Sequence, residues 1–289
     1  MRSYTYSFLQ DLPVPEDISC LIASLKGLSG LLAQRAQAQE SQAEQLLVSQ
    51  EEQCAAAAVG LKGVGFPGYA QALRQANRPG DGKLCPEDIL RIHRLLLPGG
   101  EAPSSEKAQA IGLVLSAYYA APAVEPLLLI PCAVLDMLCT EPFPTGTPGA
   151  ALLLARRLLA GAGFSICRFA PLEKTIGRFA FFHQRALALS AGDWAENANA
   201  YLPYIESFLS LLYLALRQAE KIFPEPRRPK GEMIRELVLH SPGPISKAEI
   251  CAALPQVSIT TVEAVLGSMV KSGSVRRVGG GRGSRYLRA

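Results

Sequence analysis

Two helix-forming apolar stretches, held apart by a segment rich in helix breakers, constrain this chain more than any other feature. Pro126–Leu138 is almost continuously apolar, with Asp136 as its single charge. Ala150–Leu159 reads as a Leu/Ala helix. Between them runs Glu141-Pro142-Phe143-Pro144-Thr145-Gly146-Thr147-Pro148-Gly149, with three prolines and two glycines. Proline fixes φ and lacks an N–H, and glycine permits close backbone approach. The segment therefore reads as a loop between two helices.

Around this unit the chain reads as mainly α. Leu- and Ala-rich stretches dominate, β-branched runs are few, and 49% of residues are hydrophobic, ample for a core. Pro, Gly or charge interrupts every apolar run before ~18 residues, so no membrane span is expected. Met1–Gln10 has no apolar signal core, and a cytoplasmic location is expected. Seven cysteines are scattered without C-x-x-C spacing. Neither a zinc site nor a disulfide framework is indicated, and buried free thiols are expected.

The pattern predicts a helix from Pro15 to about Ala58, with Leu21, Leu25, Leu28 and Leu31–Leu32 on one face. A glycine break at Gly60, Gly63 and Gly65, a short helix over Gly68–Gln75 and a loop at Asn77–Gly82 follow. Pro86-Glu87-Asp88 opens a helix that buries Ile89, Ile92, Leu95 and Leu96. Further helices are predicted over Ser104–Tyr119 and Tyr201–Ile222. Pro224, Pro226 and Pro229 mark a linker over 224–229, separating a helical domain (1–223) from a small one (230–289). Charge divides there too. Residues 227–289 hold eleven Lys/Arg against four Asp/Glu, and the rest hold eighteen against twenty-one. A basic module on a slightly acidic body suits contact with a polyanion through the tail.

The body resembles the Fic domain. The loop is similar to that family's His-x-Phe-x-Asp-Gly-Asn-Gly-Arg signature, of which Pro142, Phe143, Pro144 and Gly146 survive. Leu84–Leu97, with Ile89-Leu90 and His93-Arg94, resembles the family's Leu-His-Arg helix, and Ala191-Gly192-Asp193-Trp194 resembles its Gly-Asp-Trp feature. The resemblance implies what each loop position would do. A His deprotonates the target hydroxyl, an acid holds Mg²⁺ on the phosphates of ATP, and Arg neutralises phosphate. Here Glu141 stands for the His, Thr145 for the acid, Thr147 for Asn, Pro148 for Gly and Gly149 for Arg. Glu141 is a weak base at neutral pH, since a glutamate ordinarily titrates near about 4.3. The family's β-hairpin flap looks deleted, because Pro98–Pro103 leads straight into a helix. An inhibitory helix would have Ala55 for Ser and Val59 for Glu. The resemblance thus implies a Fic-family scaffold without catalysis. No catalytic residue and no metal are expected, with ATP and Mg relevant only if activity remains. Residual nucleotidyl transfer with Glu141 in a new role stays open.

Residues 230–289 resemble the winged helix-turn-helix modules that follow Fic domains in many bacterial proteins. Ile245-Ser246-Lys247-Ala248-Glu249-Ile250 reads as the start of the second helix, with Ser246 and Glu249 as a capping box. Ser258 caps a third helix whose core face is Val262, Val265, Leu266 and Met269. Ser274–Val278 and Ser284–Leu287 would pair as strands. On this reading Ser258, Thr260 and Thr261 approach DNA from the recognition helix. Arg276, Arg277, Arg282 and Arg285 approach it from the wing. The expected function is DNA binding or regulation through this module, with the helical body serving either to form a homodimer or to sense a ligand. A protein-docking scaffold is the alternative.

Overall fold

The computed structural model describes residues 3–59, 66–78, 82–224, 229–280 and 283–289. The glycine break at 60–65, part of the loop at 79–81, Arg282 and linker residues 225–228 lie outside the described residues. The chain divides into two compact units, Met1–Pro224 and Glu225–Ala289.

In the first unit a 3-10 turn (Ser7–Gln10) precedes α1 (Glu16–Gln37), α2 (Glu40–Val59), α3 (Tyr69–Asn77), α4 (Pro86–Leu96) and α5 (Ser105–Tyr119). Then come α6 (Pro126–Thr140), α7 (Thr147–Gly161), a second 3-10 turn (Ser165–Phe169), α8 (Leu172–Arg178), α9 (Ala180–Ala191) and α10 (Leu202–Ala219). α6 and α7 form the centre. α6 packs on α5, α7 and α10, and α7 packs on α3, α4 and α6. Both helices are apolar nearly all round, which suits a helix enclosed on every side. Each begins at a proline that needs no intrahelical N–H partner: Pro126 at N1 and Pro148 at N2.

Two sequence expectations are corrected here. The first long helix is two, and the chain turns at Ala38–Gln39, where no Gly or Pro marks a break. Packing of α2 on α3, α8 and the second 3-10 turn sets the new direction. The buried face of α1 is Ile18, Ile22, Leu25, Leu28 and Leu32, while Leu31 is 42% exposed and Leu21 half-buried. Steps of three and four from Leu25 reach the first set and pass Leu31 by.

α4 begins as read, with Pro86 in its first turn and the Cys85 N–H bonded to Asp88 Oδ2 at 3.0 Å. Residues 97–104 join α4 to α5 as a turn without a strand, and Ser104 Oγ caps α5 by accepting from the Lys107 N–H. None of the seven cysteines is in a disulfide. Cys54, Cys132 and Cys167 are buried, but Cys20 and Cys85 are exposed, against the expectation of buried thiols. Among the described residues no helix is long and apolar enough to cross a membrane.

The second unit comprises α11 (Lys230–Leu239), β1 (Ile245–Ser246), α12 (Lys247–Ala253), α13 (Ile259–Lys271), β2 (Val275–Val278) and β3 (Arg285–Arg288). The antiparallel sheet has the order β1-β3-β2, with Val278 opposite Arg285 and Ile245 opposite Tyr286. Its core is built from Ile234, Val238, Ile250, Val257, Val262, Leu266, Met269, Val275 and Tyr286. β1 was not expected, because a two-residue strand leaves no periodic signal. Ser246 ends β1 and also caps α12. Its hydroxyl accepts from the Glu249 N–H at 3.2 Å, and Glu249 Oε2 accepts from the Ser246 N–H at 2.7 Å.

Candidate functional site

The loop between α6 and α7 is held by backbone geometry and by one histidine. Glu141 ends α6 in the left-handed region, with φ 46° and ψ 59°. This conformation suits Gly or Asn better than Glu, so the corner is mildly strained. The Glu141 side chain is exposed. Phe143 turns inward and lies flat on the His93 ring, with centroids 3.7 Å apart and planes 2° apart. His93 Nε2 lies 2.8 Å from the Thr145 carbonyl. A carbonyl can only accept, so Nε2 carries the proton and donates. His93 is 2% exposed and acts as the floor of the loop.

Gly146 has φ 91°, and a Cβ there would stand 3.4 Å from His93 Nε2. The backbone angle calls for glycine, and the ring leaves a side chain there no more than van der Waals distance. Thr147 opens α7, and its hydroxyl accepts from the Phe143 N–H at 3.2 Å while donating to the Phe143 carbonyl at 3.1 Å. That hydroxyl is thereby occupied with closing the loop. Pro148 follows and offers no N–H to a ligand at the helix N-terminus. Gly149 is buried and Thr145 exposed.

The loop borders a cleft of ≈ 610 Å³ whose charged side chains are Glu141 and Lys107. Lys107 Nζ donates to the Thr140 carbonyl, at the end of α6 where a cation meets the negative pole of the helix. Sequence reading did not single out Lys107, because in the chain it is one more residue in the first turn of α5. Beneath the loop a cavity of ≈ 300 Å³ includes Pro148, His183 and Tyr204 in its lining. Burial pulls His183 down to about 4 and pushes Tyr204 well up, so both are neutral near pH 7.

Two buried polar clusters fix the helices that carry the loop. Asp136 Oδ2 accepts from Tyr6 Oη at 2.8 Å, Oδ1 accepts from Trp194 Nε1 at 2.7 Å, and Tyr201 Oη donates to both oxygens at 3.0 and 3.1 Å. On α7, Arg156 forms a two-bonded pair with Glu173, at 2.9 Å from Nε and 2.5 Å from Nη2. It also donates to the Cys167 and Ala170 carbonyls, and Tyr69 Oη donates to Glu173 at 2.9 Å. Among the described residues no three His, Cys, Asp or Glu side chains gather as a metal site would need.

In the second unit the α13 N-terminus presents Ser258 and Thr260 exposed and Thr261 half-buried. Ser258 Oγ accepts from the Thr261 N–H and lies within 2.9 Å of both threonine hydroxyls. Arg276 is exposed on β2. Arg277 instead donates to Ser284 Oγ at 2.9 and 2.5 Å. Arg285 donates to the Pro244 carbonyl at 3.0 Å and pairs loosely with Glu249 at 3.6 Å. Lys247 pairs with Glu263 at 2.7 Å, which offsets the acid on the outer face of α13.

The chain is similar in fold to the crystal structure of a Fic family protein from Desulfovibrio desulfuricans. The TM-score is 0.55 and the identity 17%, over 96% of this chain and 97% of that one. A likeness at this identity shows the fold. No family model matches the chain, and no curated protein matches it.

Proposed function

We propose that this protein is a catalytically silent Fic-fold scaffold that works as a DNA-binding or regulatory module through its C-terminal unit. The observation that carries this reading is the occupancy of the α6–α7 loop. Glu141 points to solvent, Thr147 is tied to Phe143, Pro148 withholds an N–H, and Gly149 has no side chain. Thr147, Pro148 and Gly149 bring no carboxylate and no cation to the loop, and the carboxylate of Glu141 is a weaker base than the imidazole of a His. Among the described residues Lys107 is the single cation lining the cleft, and it is engaged with the end of α6.

For the C-terminal unit, the three helices and antiparallel sheet support a winged helix reading. α13 would lie in the major groove, with Ser258, Thr260 and Thr261 toward DNA and Arg276 toward a phosphate. Arg277 and Arg285 would first have to leave Ser284 and Pro244. A protein-docking role draws on a different observation: Ile259 on α13 is 56% exposed and Val278 on β2 is 45% exposed.

Two measurements test the reading. Calorimetric titration of the full chain with Mg-ATP is expected to show no binding heat up to millimolar nucleotide. Saturable, Mg-dependent heat would overturn the silent-scaffold reading. A mobility shift with duplex DNA is expected to weaken steeply with salt. Arg276→Ala is expected to lower the slope of log K against log salt by about one, as loss of one phosphate contact does. Retention of the wild-type slope would remove Arg276 from the interface. Absence of any shift at low salt would favour protein docking.

A further inference from the structure

α9 is a helix that the first unit leaves half-covered. Of its twelve residues Ser190 alone is fully buried, although the sequence Ala180–Ala191 is largely apolar. Phe181, Phe182 and Leu189 are 70%, 66% and 59% exposed, the three most exposed large apolar side chains among the described residues. Leu214 on the neighbouring α10 adds a fourth at 39%. A contiguous apolar face of this kind marks an interaction surface more often than a solvent face.

The same face carries both a ridge and a groove. Phe181 and Phe182 stand edge to face, 5.5 Å between ring centroids, as a ridge on α9. Phe182 also forms one edge of a groove of ≈ 330 Å³ between α9 and α10, whose lining includes the small side chains of Ala186, Ser207 and Ser210. Arg185 on the α9 wall and Glu206 on the α10 wall face it from opposite sides. Both are exposed, and neither is in an ion pair among the described residues. Ridge beside groove and cation opposite acid is the arrangement a two-fold contact requires. In such a contact each residue meets its counterpart's neighbour twice over.

We propose that this face is a two-fold interface between two copies of the chain. The Phe181–Phe182 ridge of one copy enters the α9–α10 groove of the other, and Arg185 meets Glu206 across the axis in both directions. The pairing is independent of any DNA or nucleotide reading, and its test contains neither.

Sedimentation equilibrium of the full chain over a wide concentration range is expected to show a monomer–dimer equilibrium. Phe182→Asp is expected to raise the dimer dissociation constant at least about thirtyfold, since a central aromatic is replaced by a charge. Arg185→Glu and Glu206→Arg are each expected to weaken the dimer, and the two together to restore it, because the swap re-forms both pairs. Both positions are exposed, so the charge swaps report on the interface without removing core packing, and circular dichroism verifies the fold. A wild-type monomer at every concentration overturns the proposal, whether the face is then covered by the chain's own C-terminal unit or by a foreign partner. A dimer indifferent to Phe182→Asp, or one that the double swap fails to restore, overturns it equally.

Discussion

Replacing Glu173 by Gln is expected to lower the free energy of unfolding by about 3–5 kcal/mol, as loss of one partner from a buried ion pair does. Glu173 is 0% exposed and Arg156 3% exposed. The substitution keeps the shape of the side chain but leaves the guanidinium of Arg156 without its counter-charge in the core. The cluster links four pieces of the body: Arg156 on α7, Glu173 on α8, Tyr69 on α3 and the carbonyls of Cys167 and Ala170. Urea denaturation with matched m-values checks the figure, and a loss below about 1 kcal/mol would put the pair among screened surface pairs instead. The pH dependence follows from the same geometry. Burial acts to raise the Glu173 carboxyl, but the charge and hydrogen bonds of Arg156 outweigh it and hold the carboxyl below its usual value. A carboxyl lowered in the folded state contributes stability above its unfolded value, about 4.3. That stability is lost as pH falls through the lower folded value. Wild-type stability should therefore drop steeply below about pH 4, and the Gln variant should show a shallower drop from a lower starting point.

The parts of the molecule legible in sequence are those written in local chemistry. Pro86 with Glu87 and Asp88, Ser104 before α5, and Ser246 with Glu249 announce helix starts because a few adjacent residues satisfy the orphan N–H groups. The α6–α7 loop was legible because prolines and glycines punctuate two apolar runs. The turn between α1 and α2 was not, since nothing at Ala38–Gln39 differs chemically from the helix around it, and tertiary packing alone sets the bend. The charged clusters were hidden for another reason. Asp136 is a lone charge in an apolar segment and Arg156 belongs to an Arg-Arg pair within another, and their partners lie as far off as Tyr6, Glu173 and Tyr201. In a single sequence such residues look like interruptions of a core; only the fold shows them as its fastenings. His93 belongs to the same group, since its stacking on Phe143 and its bond to Thr145 span fifty residues or so of chain.

Asp136→Ala is expected to cost roughly 3–5 kcal/mol, because three buried or half-buried donors lose a charged acceptor at once. Of these donors, Trp194 is the sole tryptophan of the chain, and so it reports on the cluster directly. Its indole N–H can donate but cannot accept, whereas the hydroxyls of Tyr6 and Tyr201 can do either. The Asp136→Asn variant therefore separates two effects. Its carbonyl still receives the indole, and its amide N–H groups can be accepted by the reoriented tyrosine hydroxyls. Asn is thus expected to keep near wild-type emission with a smaller loss of stability, while Ala shifts the emission maximum to the red as the indole turns to water. Identical emission and stability in the Ala variant would remove Asp136 as the tie between α6 and its neighbours. The consequence reaches the loop. The carbonyl of Asp136 accepts from Thr140 Oγ1 at 2.6 Å, and the Thr140 carbonyl in turn holds Lys107. Loosening the anchor on α6 is therefore expected to shift the start of the α6–α7 loop as well as to lower stability, because Asp136, Thr140 and Lys107 are joined in one chain of hydrogen bonds.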